Sequence, residues 1–483
     1  MIGPSLGAAE WRAIAPFAAV IVSGIGVLLY ETFSGDPKDA ETPLWVSIFG
    51  IAGGLFATLI FWDRNFQAFG GTLALDGIAL FANLLCGLTA MLTVLMAPSY
   101  LAVIGVCTKE FYPLMLFTLG GMMIMGGARD LVVLFLGIEL MSFPAYVLAG
   151  IHRRDPRCAE AALKYFVLGA FATAFLLYGI ALFWGATGAT SYAGITAALP
   201  HAPGLAVLGA VTFLIVAFGF KVGMVPFHFW APDVYQGSPT VVTALMTVGI
   251  KAAAIIAAAR FFVLALAPIQ VEWAVVLWWV AALTMTLANV VAIAQSNIKR
   301  MLAYSSIAHA GYLTAAIAAG TPRGGAAALF YLLGYAFMNL GAFAVVMAVG
   351  AKGDANELVS DYAGLGMRRP LLAGAMVLFL LSLMGIPPLV GFAGKLYIVE
   401  ALVNSGCVGL AVLVMLNSVV SGYYYLRVIM EMFMHDPVKA APALAPRPYL
   451  MICVGLATIG TVFFGIFPDL ALDFARQSFL ALG

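Results

Sequence analysis

Long apolar runs, separated by short polar connections, occupy most of this chain. Fourteen of these runs are long enough for a helix to cross a bilayer, which takes about 20 residues. Their length and continuous apolarity favour helices, because the strands of a membrane barrel are shorter and alternate in polarity. The pattern predicts an all-α polytopic membrane protein. The predicted spans lie at 12–30, 43–62, 75–96, 111–128, 131–151, 161–184, 204–229, 239–267, 273–294, 301–319, 325–349, 371–402, 407–432 and 448–467.

Two of the runs are longer than a bilayer requires and are interrupted by Gly and Pro. The segment GMVPFHFWAPDVY at 223–235 aligns without gaps with GIPPLVGFAGKLY at 385–397. Paired interrupted helices are typical of transporters that are built from repeats. Because spans 7 and 12 are an odd number apart, we expect two inverted five-helix repeats with discontinuous helices 7 and 12. The single membrane domain 1–483 then divides into three N-terminal helices at 1–100, a first repeat at 111–267, a second repeat at 273–432 and a last helix at 448–467.

The distribution of positive charge predicts the orientation. Connections after odd-numbered spans hold twelve Lys and Arg residues, whereas the termini and the even-numbered connections hold five. Positively charged connections remain in the cytoplasm. We therefore expect both termini on the opposite, periplasmic side of a bacterial inner membrane.

The composition excludes several classes of protein. Of the 483 residues, 64% are hydrophobic and 9% are charged, against about 25% charged in a soluble domain. The net charge of +1 provides no basic face for nucleic acid. No phosphate-binding or metal-binding motif is present, so we expect neither a cofactor nor a metal site in this chain. The cysteines are scattered and are expected to be core residues; they are Cys86, Cys107, Cys158, Cys407 and Cys453.

Charged residues inside the spans are candidates for chemistry, because a charge at the bilayer centre costs about 2.5–3.5 kcal/mol on insertion scales. Glu139, Lys221, Lys251 and Lys395 each lie near the middle of an apolar run. One carboxylate cannot neutralise three lysines, so a purely structural ion pair leaves two of them without a counter-charge. Burial and a nearby carboxylate act in opposite directions on a lysine's affinity for its proton. We therefore predict that these four residues form a proton relay.

Other titratable residues in the spans allow more than one interpretation. His228 and His309 are candidates for the same relay, and a hydrogen-bonded core histidine is the alternative for each. Asp233 follows Pro232 and is interpreted as a turn or cap residue. Three further basic residues lie near a span end or a polar segment, where we expect their side chains to extend to the interface; they are Lys164, Arg260 and Arg427.

Three segments of the chain carry a family resemblance. The sequences VPFHFWAPDVYQGSPT, KRMLAYSSIAHAGYL and LSLMGIPPLVGFAGKLY resemble the antiporter-like subunits of proton-pumping NADH:quinone oxidoreductase, respiratory complex I. Within that family the chain is similar to the subunit N branch, called subunit 2 in mitochondria. Lys395 fits this branch, whereas the subunit M branch carries a glutamate at that position. We also expect no long lateral helix of the kind that is expected of subunit L.

The resemblance implies roles for the charged residues. Glu139 would pair with Lys221, Lys251 would lie at the centre of a hydrophilic axis, and Lys395 would lie beside an exit half-channel. The chain would act as a subunit of a translocase, with proton transfer coupled to electron transfer from NADH to quinone in other subunits. NADH, FMN, iron–sulfur clusters and quinone would bind to those subunits.

The resemblance also implies the surroundings of the chain. Its partners would be the lipid bilayer and the other membrane and peripheral subunits of complex I, especially neighbouring antiporter-like and small membrane subunits. Two alternatives stay open. One is a subunit of a multisubunit sodium/proton antiporter, and the other is a structural subunit of the membrane arm that pumps nothing.

Overall fold

The computed structural model describes residues 7–34, 41–62, 64–106, 110–350, 357–436 and 448–480. These residues are almost entirely helical, as the apolar pattern predicts. The first half contains α1 (Ala8–Ser34), α2 (Glu41–Ile60), β1 (Phe66–Ala68), β2 (Leu73–Leu75), α3 (Gly77–Ile104), α4 (Phe111–Gly127), α5 (Leu131–Ala149), α6 (Pro156–Thr187), α7 (Tyr192–Ala198), α8 (Gly204–Val222) and α9 (Trp230–Gly237).

The second half continues with helices of similar length. It contains α10 (Thr240–Leu245), α11 (Lys251–Ala259), α12 (Gln270–Ile293), α13 (Ile298–Ala318), α14 (Pro322–Val349), α15 (Leu365–Arg368), α16 (Pro370–Met384), α17 (Val390–Asn404), α18 (Val408–Met434), α19 (Pro448–Ile466) and α20 (Asp469–Leu480).

Each of the fourteen predicted spans coincides with a helix or with a pair of helices. Eleven described helical segments are long and apolar enough by themselves to cross a membrane. The shorter helices α4 and α16 are also apolar. Helix α13 has 21 residues but is less apolar, because it carries Lys299, Arg300 and several hydroxyl groups. The prediction of an all-α polytopic membrane protein is confirmed.

The predicted breaks in helices 7 and 12 are present. Helix α8 ends at Val222, and the chain becomes helical again at α9; helix α16 ends at Met384 and is followed by α17. Gly223 and Gly385 terminate α8 and α16 with φ of 80° and 95°. Only glycine adopts such angles without strain, which explains why glycine occupies the same place in both aligned segments. The division into two inverted repeats stays a prediction.

The eighth span lies at the centre of the bundle. It runs from Thr240 to Ala265 and is buried along its length among α3, α4, α8, α13 and α14. Two segments of this span are π-helical, Met246–Ile250 and Arg260–Ala265. Such widened turns occur often at functional sites, and Lys251 directly follows the first of them.

A hairpin at one end of the bundle was not predicted, because its strands have only three residues each. Phe66–Ala68 pairs antiparallel with Leu73–Leu75, with Phe66 opposite Leu75. The main-chain N–H of Phe69 donates to Glu10 at the start of α1. The described ends of the chain therefore both lie at this end, called the hairpin face, since α20 also packs against α3 there. Which side of the membrane this face occupies stays a prediction.

The cysteines agree with the core interpretation where they are described. Cys86, Cys158 and Cys453 are buried, Cys407 is half-buried, and all four are free thiols. Cys107 lies outside the described residues.

Candidate proton-relay site

Lys395 lies on α17, and its side chain reaches the end of α16. Its Nζ donates hydrogen bonds to the main-chain oxygens of Leu383 and Met384, both at 2.9 Å. These are carbonyls of the last helical turn, which lack helical partners and carry partial negative charge. Nζ also lies 4.9 Å from the centre of the Tyr312 ring. No carboxylate among the described residues lies within 4.0 Å of this ammonium, so a helix end takes the place of a counter-ion.

Lys251 has a similar environment in the centre of the bundle. Its Nζ donates to the main-chain oxygen of Ser306 at 2.6 Å and to the Ser306 hydroxyl at 2.5 Å. The side chain is 1% exposed. Again, none of the carboxylates that the structure describes forms an ion pair with it. Lys251 is thus held by one residue of α13.

Helix α13 connects the surroundings of Lys251 with those of Lys395. Ser306 accepts from Lys251, and Tyr312 lies beneath Lys395. These two residues of α13 are six positions apart, which is about 9 Å along a helix axis. His309 lies between them on the same helix and is buried.

His309 belongs to a row of hydrogen-bonded side chains. Its Nδ1 lies 2.6 Å from the hydroxyl of Tyr331, and its Nε2 lies 3.2 Å from the hydroxyl of Tyr425. The Tyr425 hydroxyl in turn lies 2.5 Å from that of Ser305. A row of groups that both donate and accept can pass a proton along it. The geometry therefore suits proton transfer through His309. It is equally consistent with a structural core histidine, because both ring nitrogens have a hydrogen-bond partner.

Lys221 is the lysine of the other broken helix, in the last turn of α8. Its Nζ donates to the hydroxyls of Ser142 at 2.8 Å and Tyr146 at 3.2 Å, both on α5. The rings of Tyr146 and Phe220 lie 5.5 and 5.9 Å from Nζ. The side chain is 4% exposed. Hydroxyl oxygens and aromatic faces therefore hold this ammonium.

Glu139 does not form the ion pair that the resemblance implies. Its Oε1 accepts from the hydroxyl of Thr173 at 2.7 Å, and no oxygen of it lies within 4.0 Å of the Lys221 ammonium. Glu139 is half-buried, and Leu136 on the same helix is 55% exposed. Lys221 instead reaches Ser142, one turn further along α5.

His228 lies in the break between α8 and α9. It is 6% exposed and stacks against Phe229, with ring centres 4.7 Å apart. Its Nδ1 has no hydrogen-bond partner among the described residues. No described hydrogen bond joins it to Lys221 or Lys251, so the structure does not bring it into the predicted relay.

Asp233 joins three helices at the end of the bundle opposite the hairpin face. Its two oxygens accept from Lys164 of α6 and Arg300 of α13, each at 2.8 Å. Lys164 also lies 2.6 Å from Glu160. The interpretation of Asp233 as a turn or cap residue missed these ion pairs. No sequence signal links them, because the partners are 69 and 67 positions from Asp233.

The prediction that Arg260 extends to the interface is wrong. The residue is 1% exposed, and its Nη atoms donate to both oxygens of Asp76 at 2.7 and 2.5 Å. Asp76 also accepts from the main-chain N–H of Ala79 and caps α3. The two charges are 184 positions apart, so only folding brings them together.

Arg427 is also held within the protein. Its guanidinium donates to the main-chain oxygens of Ile293 and Gln295, at and just beyond the end of α12. Lys164 agrees best with the interface prediction, since its side chain is 39% exposed.

Comparison with known proteins gives one consistent result. Residues 128–421 match the family model described as NADH:quinone oxidoreductase/Mrp antiporter, transmembrane. A protein from Trichlorobacter lovleyi named NADH-quinone oxidoreductase subunit N is 43% identical over 469 residues, covering 96% of each chain.

Solved structures agree with this match. A chain of respiratory complex I from Thermus thermophilus with bound aureothin superimposes with a TM-score of 0.82 at 36% identity, covering 95% of this chain and 98% of that one. A chain of the Mrp complex from Dietzia sp. gives a TM-score of 0.86 at 20% identity, covering 98% and 97%, which shows a common fold.

Proposed function

The chain belongs to the NADH:quinone oxidoreductase/Mrp antiporter transmembrane family, within its subunit N branch, and from this premise we propose that it moves protons through Glu139, Lys221, Lys251 and Lys395. The relatives' names support a place in the membrane part of an NADH:quinone oxidoreductase. Electron transfer would take place in partner subunits, and this chain would contribute the proton path.

One observation carries this proposal. Lys221, Lys251 and Lys395 are each at least 96% buried, and none has a carboxylate within 4.0 Å among the described residues. An unpaired buried ammonium is costly. Burial away from water favours the neutral form of such a lysine. The hydroxyls or the helix end that contact Nζ favour its charged form. Three such residues in one bundle favour reversible protonation over fixed ion pairs.

The contacts suggest the order of the path. Lys251 and Lys395 contact positions of α13 that lie about 9 Å apart along its axis, with His309 between them. No described hydrogen bond joins the contacts of Lys221 to those of Lys251. A proton would therefore cross from Lys221 to Lys251 through water or a change in packing. A closer approach of Glu139 to Lys221 would favour the charged lysine, because opposite charges attract.

Replacement of Lys251 tests the path. In inverted membrane vesicles, Lys251→Ala should reduce the protons pumped per NADH oxidised at least severalfold while the complex still assembles. Lys221→Ala should act similarly. The matched control is Lys164→Ala, which removes a helical lysine that is 39% exposed. Wild-type pumping ratios in both buried-lysine variants would instead support a structural subunit.

Purification of the tagged chain from its native membrane tests its assignment to a complex. Mass spectrometry should find flavin and iron–sulfur subunits, with NADH:quinone activity in the same fraction. If only small hydrophobic antiporter subunits co-purified, the chain would belong to a sodium/proton exchanger. The bacterial inner membrane and periplasmic termini are part of the same proposal, and labelling of a cysteine introduced at Ala8 from either side would test the orientation.

A further inference from the structure

Helix α14 carries a row of polar side chains through the buried centre of the bundle. Tyr331, Tyr335 and Asn339 are four positions apart, so they lie on one face of this helix. All three side chains are completely buried. Because polar groups are costly to bury unless they form hydrogen bonds, the partners of this row indicate what it does.

The first two residues of the row lie beside His309. The hydroxyl of Tyr331 lies 2.6 Å from the histidine Nδ1, and the centre of the Tyr335 ring lies 5.0 Å from that of the imidazole. Asn339 follows eight positions after Tyr331, which is about 12 Å further along the helix axis. There its Nδ2 donates to the hydroxyl of Thr247 at 2.9 Å. One helix therefore contacts both the histidine of the candidate relay and the eighth span.

Thr247 belongs to the π-helical segment Met246–Ile250, which directly precedes Lys251. Its hydroxyl donates to the main-chain oxygen of Thr243 at 2.9 Å. The single hydroxyl hydrogen is thus used, and the Asn339 amide is the donor of the second bond. Backbone hydrogen bonds in a π-helix join residues five apart, and such turns are rare. Contacts with neighbouring helices therefore help to hold this turn.

The other side of the π-helical segment is packed against α3 and α4. A Cβ at Gly249 would lie 3.2 Å from the side chain of Thr89 on α3 and 3.1 Å from the Sδ of Met122 on α4. Residues two apart in a helix do not share a face, so Gly249 and Thr247 contact different neighbours. The segment is held between α3 and α4 on one side and α14 on the other.

The amide of Asn339 is not explained by packing alone. Its Oδ1 has no hydrogen-bond partner within the described part of the chain. Buried polar atoms are almost always paired, and an apolar side chain of the same branching would avoid this cost. The bond to Thr247 is therefore the contact that accounts for an amide at this position.

We propose that Asn339 is a positioning residue of the relay, which holds the π-helical segment through Thr247 and so directs Lys251 toward Ser306. This inference rests on the proposed function, because it places Lys251 in the proton path. Without the bond the segment can relax, and the ammonium can leave the two Ser306 oxygens that stabilise it. Loss of one interhelical hydrogen bond in a membrane protein shifts such an equilibrium about threefold.

Two replacements remove the bond with little change in shape. Thr247→Val exchanges the hydroxyl for a methyl group, and Asn339→Leu exchanges the amide for an apolar group of the same branching. In inverted membrane vesicles that contain the intact complex, each should lower the protons pumped per NADH oxidised by about twofold or more, following the shift in lysine position. Thr247→Ser keeps the hydroxyl and should restore the ratio. A purely structural role would lower the amount of assembled complex and leave the ratio unchanged.

A double variant separates this bond from other effects. If Thr247→Val and Asn339→Leu act through the same bond, their combination should lower the ratio no further than either alone. The matched control is Thr314→Val, which also removes a buried hydroxyl. The Thr314 hydroxyl donates to the main-chain oxygen of Ala310 in its own helix, so this variant should keep the wild-type ratio. Thr247→Val decides the test if Asn339→Leu does not assemble.

The Lys251→Ala variant distinguishes failure of this inference from failure of the proposed function. A reduced ratio in Lys251→Ala with wild-type ratios in Thr247→Val and Asn339→Leu would overturn the positioning role and leave the relay in place. A wild-type ratio in Lys251→Ala would overturn both. Equal losses in Thr247→Val and Thr247→Ser, or additive losses in the double variant, would show that the bond does not position the lysine.

Discussion

Replacement of Lys395 by methionine or glutamate measures how strongly the end of α16 depends on a positive charge. The ammonium lies 2.9 Å from each of two carbonyl oxygens in the last turn of that helix. Methionine has a similar length and no charge, whereas ionised glutamate reverses the charge. The resemblance to the subunit M branch suggests that glutamate is tolerated here, and the geometry predicts that it is not tolerated in its ionised form.

The magnitude follows from the distance. A unit charge at about 3 Å from a helix terminus with about half an elementary charge gains about 3 kcal/mol at an effective dielectric constant of about 20. Methionine loses this attraction and also the cost of burying a charge, so its free energy of unfolding should stay close to that of the wild type. Ionised glutamate bears a similar burial cost but turns the attraction into a repulsion, so it should lower the free energy of unfolding by about 6 kcal/mol. Lys395→Arg keeps the charge and should be destabilised less than Lys395→Glu.

Two assays separate stability from transport. The free energy of unfolding of the full chain is measured by titration with sodium dodecyl sulfate, with tryptophan fluorescence as the signal. The protons pumped per NADH oxidised are measured in membrane vesicles. If Lys395→Glu at neutral pH unfolded with the same free energy as the wild type, the electrostatic reasoning would be wrong. If Lys395→Met pumped at the wild-type ratio, Lys395 would not carry protons.

Two other features lead to predictions that the same unfolding assay can check. Asp76→Asn keeps a capping side chain but leaves the buried Arg260 without its counter-ion. This change should lower the free energy of unfolding by about 3–5 kcal/mol. Adding Arg260→Met should restore part of the loss. Strictly additive losses would show that the two residues are not coupled. Gly391→Ala should destabilise by more than the about 1–3 kcal/mol typical of overpacking, because its Cβ would lie 1.8 Å from the main-chain oxygen of Ser382. Gly374→Ala has no neighbour within 4 Å and is the control; equal stability of the two glycine variants would contradict this expectation.

The spans and their interruptions could be predicted because they depend on local properties. A run of about 20 apolar residues is sufficient to cross a bilayer as a helix. Gly223 and Gly385 mark the ends of α8 and α16, since a left-handed residue ends a helix in any tertiary context. The three-residue strands of the hairpin provide too short a pattern to be recognised in the same way.

The residues of the candidate site could be predicted from the sequence, but the groups that contact them could not. The cost of burying a charge singles out Lys221, Lys251 and Lys395 from sequence, and all three are buried. Their partners are hydroxyls and main-chain oxygens, which are common throughout the chain. The family resemblance implied Glu139 as the partner of Lys221, whereas Ser142 and Tyr146 are the groups that contact this lysine.

The sequence by itself determined that this is a helical membrane protein, where two of its helices break, and which lysines are buried. Those properties follow from how each segment interacts with lipid or with its own backbone. Only the tertiary structure decided that Arg260 pairs with Asp76 across 184 positions and that Lys395 contacts the end of α16. Such pairings depend on how distant helices pack, because a buried charge is stabilised by whichever polar groups the fold brings within hydrogen-bonding distance.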